Sequence, residues 1–217
     1  MKTITEQLFE LGKGIIEQHI EVSDHTGKFS MADDGGVETE TGELLYALTR
    51  IIKPELVLET GTYTGISAMY MAAGLQHNNI GHLFTLETSA IHKERAERLW
   101  QQVGISPQVT CQQIASLDYQ TDKQYDLIFL DSEPEFRFKE LVKFYPNLKP
   151  GGFLLIHDLH HHLSQHDNKD LGFGWPFGEL PMQIKNWLRE DKLRFVPFPT
   201  PRGLAMFYKT KPEDYTP

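Results

Sequence analysis

The sequence predicts an α/β domain: a doubly wound seven-stranded sheet, mostly parallel, with an antiparallel C-terminal hairpin and helices on both faces. Three observations predict it. Five short apolar runs alternate with segments of helical period, the pattern of parallel strands joined by crossover helices. A turn holding Gly61 and Gly65 joins the first run to the helix after it, as at the ligand-binding corners of such sheets. Last, two β-prone segments, 193–198 and 203–208, are separated only by Pro199-Thr200-Pro201-Arg202, which is hairpin spacing.

In chain order, Ile4, Leu8, Leu11 and Ile15 recur at helical spacing and give an amphipathic opening helix, suited to packing on the domain edge or on another subunit. Residues 23–36 are polar and glycine-bearing, hence a loop. Glu38 to Glu43 form an acidic helix start that continues into Leu44-Leu45-Tyr46-Ala47-Leu48. The first strand, 55–58, begins straight after Pro54, and the helix at 68–73 is expected to end at Gly74. Strands follow at 82–86, 108–112, 125–131 and 153–158, with helices at 91–103 and 134–145 and a turn at 147–152. The run Tyr125 to Leu130 is apolar almost throughout, so it is buried on both faces. A helix at 179–189 precedes the hairpin. The 217 residues form one domain: a helix and loop over 1–36, then a ligand-binding core over 37–217 with a lid-like loop at 159–178.

Composition narrows the function classes. The formal net charge is -9 with no Lys/Arg cluster to offset it, which argues against nucleic acid as a partner. Cys111 is the lone cysteine, so neither a disulfide framework nor a thiolate metal cage can form, and a reducing cytoplasm is the expected setting. No apolar run is long enough to span a bilayer, and Met1 to Glu6 lacks a signal-peptide core.

The glycine turn carries the sharpest signal. It is not the dinucleotide fingerprint, because Thr62-Tyr63 and Ile66 fall where that motif needs glycine spacing. Glu59, closing the strand, would repel a pyrophosphate but suits an ammonium group. A nucleoside with an amino-acid tail fits, namely S-adenosylmethionine. The run Glu59-x-Gly61-x-Tyr63-x-Gly65-x-Ser67 resembles the cofactor loop of the class I methyltransferases. Among them it is most similar to the small-molecule O-methyltransferases related to catechol O-methyltransferase. Leu148-Lys149-Pro150-Gly151-Gly152 before the fifth strand adds to the likeness, which runs from about Val37 to Tyr208. The resemblance implies a Rossmann-like sheet and an enzyme that methylates a small acceptor, at a hydroxyl oxygen. It implies roles too: Glu59 orients the ammonium, directly or through the loop; Gly61, Thr62, Tyr63, Gly65 and Ser67 surround the amino-acid tail; Glu87 takes the ribose and Ser116 the adenine. The segment Val37 to Thr41 is where the family closes over its cofactor, and the family often forms homodimers.

Asp131 and Asp158 end neighbouring strands, so their carboxylates are expected to converge beside the transferable methyl. Two carboxylates with water suit Mg²⁺ or a similar divalent ion, and the resemblance implies such a metal holding the acceptor hydroxyl. Two positions depart from the catechol enzymes: Leu159 stands where they have Asn, and Pro134 where they have a basic Lys. Catechol is therefore a poor substrate expectation. The chain instead has His157-Asp158-Leu159-His160-His161-His162 followed by His166, five of its ten histidines. His157 or His160 is the expected replacement base or ligand. Beyond them Phe173, Trp175 and Phe177 alternate with glycines in a loop and could wall an acceptor pocket, plug the core or meet a partner subunit. Two other readings are open: a non-catalytic or assembly protein on this fold, and a metal-dependent enzyme built on the His157–His166 cluster.

Overall fold

The computed structural model describes residues 2–13, 36–133, 135–158, 182–198, 200 and 203–211. Its centre is a seven-stranded sheet in the order β3-β2-β1-β4-β5-β7-β6. The strands are β1 (Leu56–Thr60), β2 (His82–Glu87), β3 (Val109–Gln113), β4 (Tyr125–Leu130), β5 (Leu148–His157), β6 (Leu193–Phe198) and β7 (Leu204–Lys209). β1 to β5 run parallel; β7 pairs antiparallel with both β5 and β6. The helices are α1 (Ile4–Leu11), α2 (Thr39–Ile52), α3 (Ile66–Asn78), α4 (Ala90–Val103), α5 (Arg137–Phe144) and α6 (Met182–Arg189). No helix among the described residues is long and apolar enough to cross a membrane.

Apolar side chains on the two faces of the sheet build two cores. One gathers α2, α3 and α4 around Val57, Leu83, Leu127 and Phe129; the other gathers α5 and α6 around Leu58, Ile128, Leu154 and Ile156. β1 and β4 alternate between these cores, residue by residue, as their pleat requires. Every residue of α3 from Ile66 to Leu75 is buried, so the helix shows no polar face.

Two element bounds differ most from the sequence expectation. α3 runs past Gly74 to Asn78, because Gly74 is the point where α2 comes closest: a Cβ there would lie 2.8 Å from the Thr49 side chain. The helix stops instead at Asn79, in the left-handed conformation, whose N–H returns to the Leu75 and Gln76 carbonyls. β5 starts at Leu148 rather than after the Pro-Gly-Gly turn, since Leu148 already pairs with Tyr125 across a register shift.

Candidate active site

β1, β2 and β4 point their carboxyl ends at one edge of the sheet, where the order reverses beside β1 and ligands of such sheets bind. A cleft of about 950 Å³ opens there, within the range of small-ligand sites. Gly61 and Gly65 have φ near +80°, open to residues without a Cβ. A Cβ on Gly61 would stand 2.3 Å from the Asp131 carbonyl oxygen, so the loop presses directly on the end of β4. The loop is tied down by the Gly61 N–H donating to Leu86 O (3.0 Å) and the Trp100 indole donating to Gly65 O (2.9 Å). Tyr63 holds φ +46°, a strained state for a side-chain-bearing residue, and its N–H donates to Glu87 Oε2 at 2.8 Å.

Glu87 closes β2 and faces the cleft. Its other oxygen accepts from the N–H groups of Thr88 (2.9 Å) and Ser89 (2.8 Å). Tyr63 stands edge-on to His92, ring centroids 4.7 Å apart, forming one wall. Ser116 also lines the cleft, and the buried Glu140 behind the strand ends accepts from Thr60 (3.0 Å) and Ser132 (2.7 Å). Burial pushes the Glu140 carboxyl up from its ordinary value against those donations.

Glu59 lies beneath the loop and is wholly buried. Ser67 and Thr85 each donate a hydroxyl to it at 2.5 Å, one per oxygen. Burial pushes its pKa up to about 8, the two hydroxyls working against the rise. Glu59 therefore meets the cleft through the loop, by way of Ser67.

At the ends of β4 and β5 lies a second, denser cluster. His157 is fully buried, its Nε2 donating to Glu38 (2.6 Å) and its Nδ1 to Asp131 (3.0 Å), with Asp158 3.6 Å away. Burial disfavours the charged ring, but the carboxylates of Asp131, Glu38 and Asp158 outweigh it and hold the pKa at about 9. Glu38 caps α2, 119 residues away in sequence, and His157 keeps its carboxyl below the ordinary value even though burial acts the other way. Arg137, at the head of α5, joins Asp131 to Asp158: one Nη2 donates to both, at 3.2 and 3.0 Å. Its Nε donates to Ser132 O at 2.8 Å and its Nη1 to His157 O.

Residues 58–159 match the family described as a methyltransferase domain. Over that span the chain is similar to a methyltransferase domain. A candidate O-methyltransferase of Mycobacterium sp. (strain JLS) is 29% identical over 129 residues, which is 57% of this chain and 57% of the relative. The chain thus matches a little over half the length of that relative. Among solved structures, the O-methyltransferase from Bacillus cereus in complex with S-adenosylhomocysteine superposes with TM-score 0.71 at 16% identity, over 97% of this chain and 93% of that one. TomG from Streptomyces achromogenes, an O-methyltransferase of tomaymycin synthesis bound to S-adenosylmethionine, gives 0.69 at 18% identity, over 95% and 90%.

Within the matched span, Gly61, Tyr63, Glu87, Ser116, Asp131 and Asp158 border one cleft. Thr62 and Ser67 line a small neighbouring pocket, with Glu59 bonded to Ser67, while Gly65 packs against Ala96 and Trp100. His160, Phe173, Trp175 and Phe177 lie outside the described residues. Arg137, Glu38 and Thr85 are site residues that the sequence reading did not single out. A signal for Arg137 was present: in α5 the buried positions are Arg137, Glu140, Leu141 and Phe144, so two charged residues occupy an otherwise apolar face.

Proposed function

We propose that the chain transfers the methyl group of S-adenosylmethionine to a hydroxyl oxygen of a small molecule. The observation that carries this reading is the placing of Glu87: at the end of β2, on the cleft, beside the glycine loop. A carboxylate has about four acceptor positions, so three N–H bonds leave room for a ribose hydroxyl. When bound, the cofactor supplies an electrophilic methyl on a positive sulfur. The chain's own share is to hold the partners in line and keep water out. Glu87 accepts from the ribose, Ser116 borders the base, and the loop from Gly61 to Ser67 receives the amino-acid tail. Asp131 and Asp158 flank the acceptor. His157, with both ring nitrogens donating to carboxylates, holds a proton rather than taking one, so it positions Asp131 instead of serving as base. The sequence alone offers Phe173, Trp175 and Phe177 as residues to contact the acceptor, on a single domain. His160 lies near them in the sequence and is left as the candidate base. A reducing cytoplasm is the proposed setting, where the lone Cys111 stays a free, buried thiol.

Metal assistance is the weaker part of this reading. Asp131, His157 and Asp158 each offer a ligand atom within 4.8 Å of the others, which in outline is a cation site. The residues nevertheless do not fit a divalent ion as they are arranged: the Arg137 guanidinium already bridges both carboxylates, and His157 donates where a ligand would accept. No step is assigned to a metal.

Calorimetric titration with S-adenosylmethionine and S-adenosylhomocysteine, with and without Mg²⁺, tests the proposal. Saturable binding that Glu87→Ala weakens is the expected result. Absence of binding by the intact chain under every condition would refute it and leave a non-catalytic protein on this fold.

A further inference from the structure

We propose that the Arg137 guanidinium takes the place of a divalent metal at this sheet edge, serving as the built-in cation between Asp131 and Asp158. The proposal rests on the methyltransferase reading only for what the cation would act upon. Its own basis is geometric. Asp131 and Asp158 sit at the ends of adjacent strands, and Arg137 Nη2 lies 3.2 and 3.0 Å from their oxygens, where one cation serving both must lie. The three side chains are 11, 5 and 6% exposed respectively, so neither carboxylate can turn out to solvent to be neutralised there.

Two of the guanidinium's bonds go to main-chain carbonyls, Ser132 O after β4 and His157 O at the end of β5. The backbone therefore fixes the charge between the strand ends independently of the carboxylates. Displacing it would leave a buried guanidinium short of two charged partners, which is strongly unfavourable. A guanidinium has five N–H donors, and four have these partners. One N–H on Nη1 is left for an oxygen in the cleft that Arg137 lines. Arg137 is thus the group that would meet negative charge developing on an acceptor hydroxyl, as a metal would, but without exchangeable ligands.

The test uses Mn²⁺ alone as the probe, followed by electron paramagnetic resonance on the intact chain. Wild type is expected to leave the signal of the free aqua ion unchanged. Arg137→Ala and the gentler Arg137→Gln, which keeps a donor for the Ser132 carbonyl, free both carboxylates and should bind Mn²⁺ at least about tenfold more tightly. Adding Asp158→Asn should abolish that gain, and circular dichroism checks each fold. Saturable binding to wild type that Asp158→Asn removes would overturn the proposal by itself, even if no Arg137 variant folds. So would folded Arg137 variants that bind no better than wild type. Cofactor titration of the same samples separates the two ideas: wild type that ignores both Mn²⁺ and S-adenosylmethionine would sink the methyltransferase reading while leaving the metal-replacement result to be judged on the variants.

Discussion

Replacing Glu59 by Gln removes one buried titration and nothing else of comparable size. Gln has the same shape, and the Ser67 and Thr85 hydroxyls, now donors at 2.5 Å, can rotate to accept from its amide. The wild-type carboxyl goes from 4.5 to about 8 on folding, chiefly because burial penalises its charge. Between those values the folded chain holds a proton that the unfolded chain has released. Stability must then fall as pH rises from 4.5 to about 8, and level off above. At about 1.4 kcal/mol per unit the whole rise is worth about 5 kcal/mol, and the part between pH 5.5 and 8.5 about 3 kcal/mol. Urea unfolding of wild type and Glu59→Gln at those two pH values isolates this contribution. His157, raised to about 9, also loses stability as pH rises, but it titrates in both proteins and cancels in the comparison. Wild type should lose about 3 kcal/mol more than the variant. An excess loss below about 1 kcal/mol would refute the claim that Glu59 is neutral in the free protein.

Three further outcomes follow from the same geometry. Glu87→Ala should weaken S-adenosylmethionine binding by at least about tenfold in calorimetry, because one charge-assisted ribose bond at about 1.5–3 kcal/mol is lost. Gly65→Ala forces a side chain into φ +81° and puts its Cβ 2.7 Å from Ala96. About 2–4 kcal/mol of destabilisation is expected by urea unfolding, and an unchanged midpoint would mean the loop relaxes freely. Asp126→Ala strips the partner of the Glu55 and Leu56 N–H groups (2.9 and 3.0 Å) and of Lys149. It should cost about 2 kcal/mol without changing cofactor affinity, since Asp126 lies at the far end of the sheet from the cleft.

Much of the fold was legible because its strands are apolar runs that need no partner to be recognised. Leu127 to Leu130 can only be interior, and the hairpin at the C-terminus follows from loop length. What misled were residues whose meaning is set by a neighbour. Gly74 reads as a helix end until Thr49 is seen against it, and Pro150-Gly151-Gly152 reads as a turn until Leu148 is found paired with Tyr125. The site divides in the same way. Gly61, Glu87 and Asp131 stand at strand ends and announce themselves by position. Arg137 and Glu38 do not, because a charge inside a helix acquires a role only when a distant carboxylate or imidazole meets it. His157 was visible as a histidine in a cluster, but its two carboxylate partners, which come from the end of β4 and the start of α2, were not.

The strand order has a consequence for synthesis. Among the described residues β6 has β7 as its only neighbour in the sheet, yet β6 precedes β7 in the chain. While the ribosome is still making the last strand, β6 has no ladder to join, and Phe195 and Val196, exposed even in the finished fold, flank an open edge. β5 likewise waits on one side for β7. The sheet can therefore grow outward from β1 as translation proceeds, but its final third must close in one step, by insertion of β7 between two strands already made.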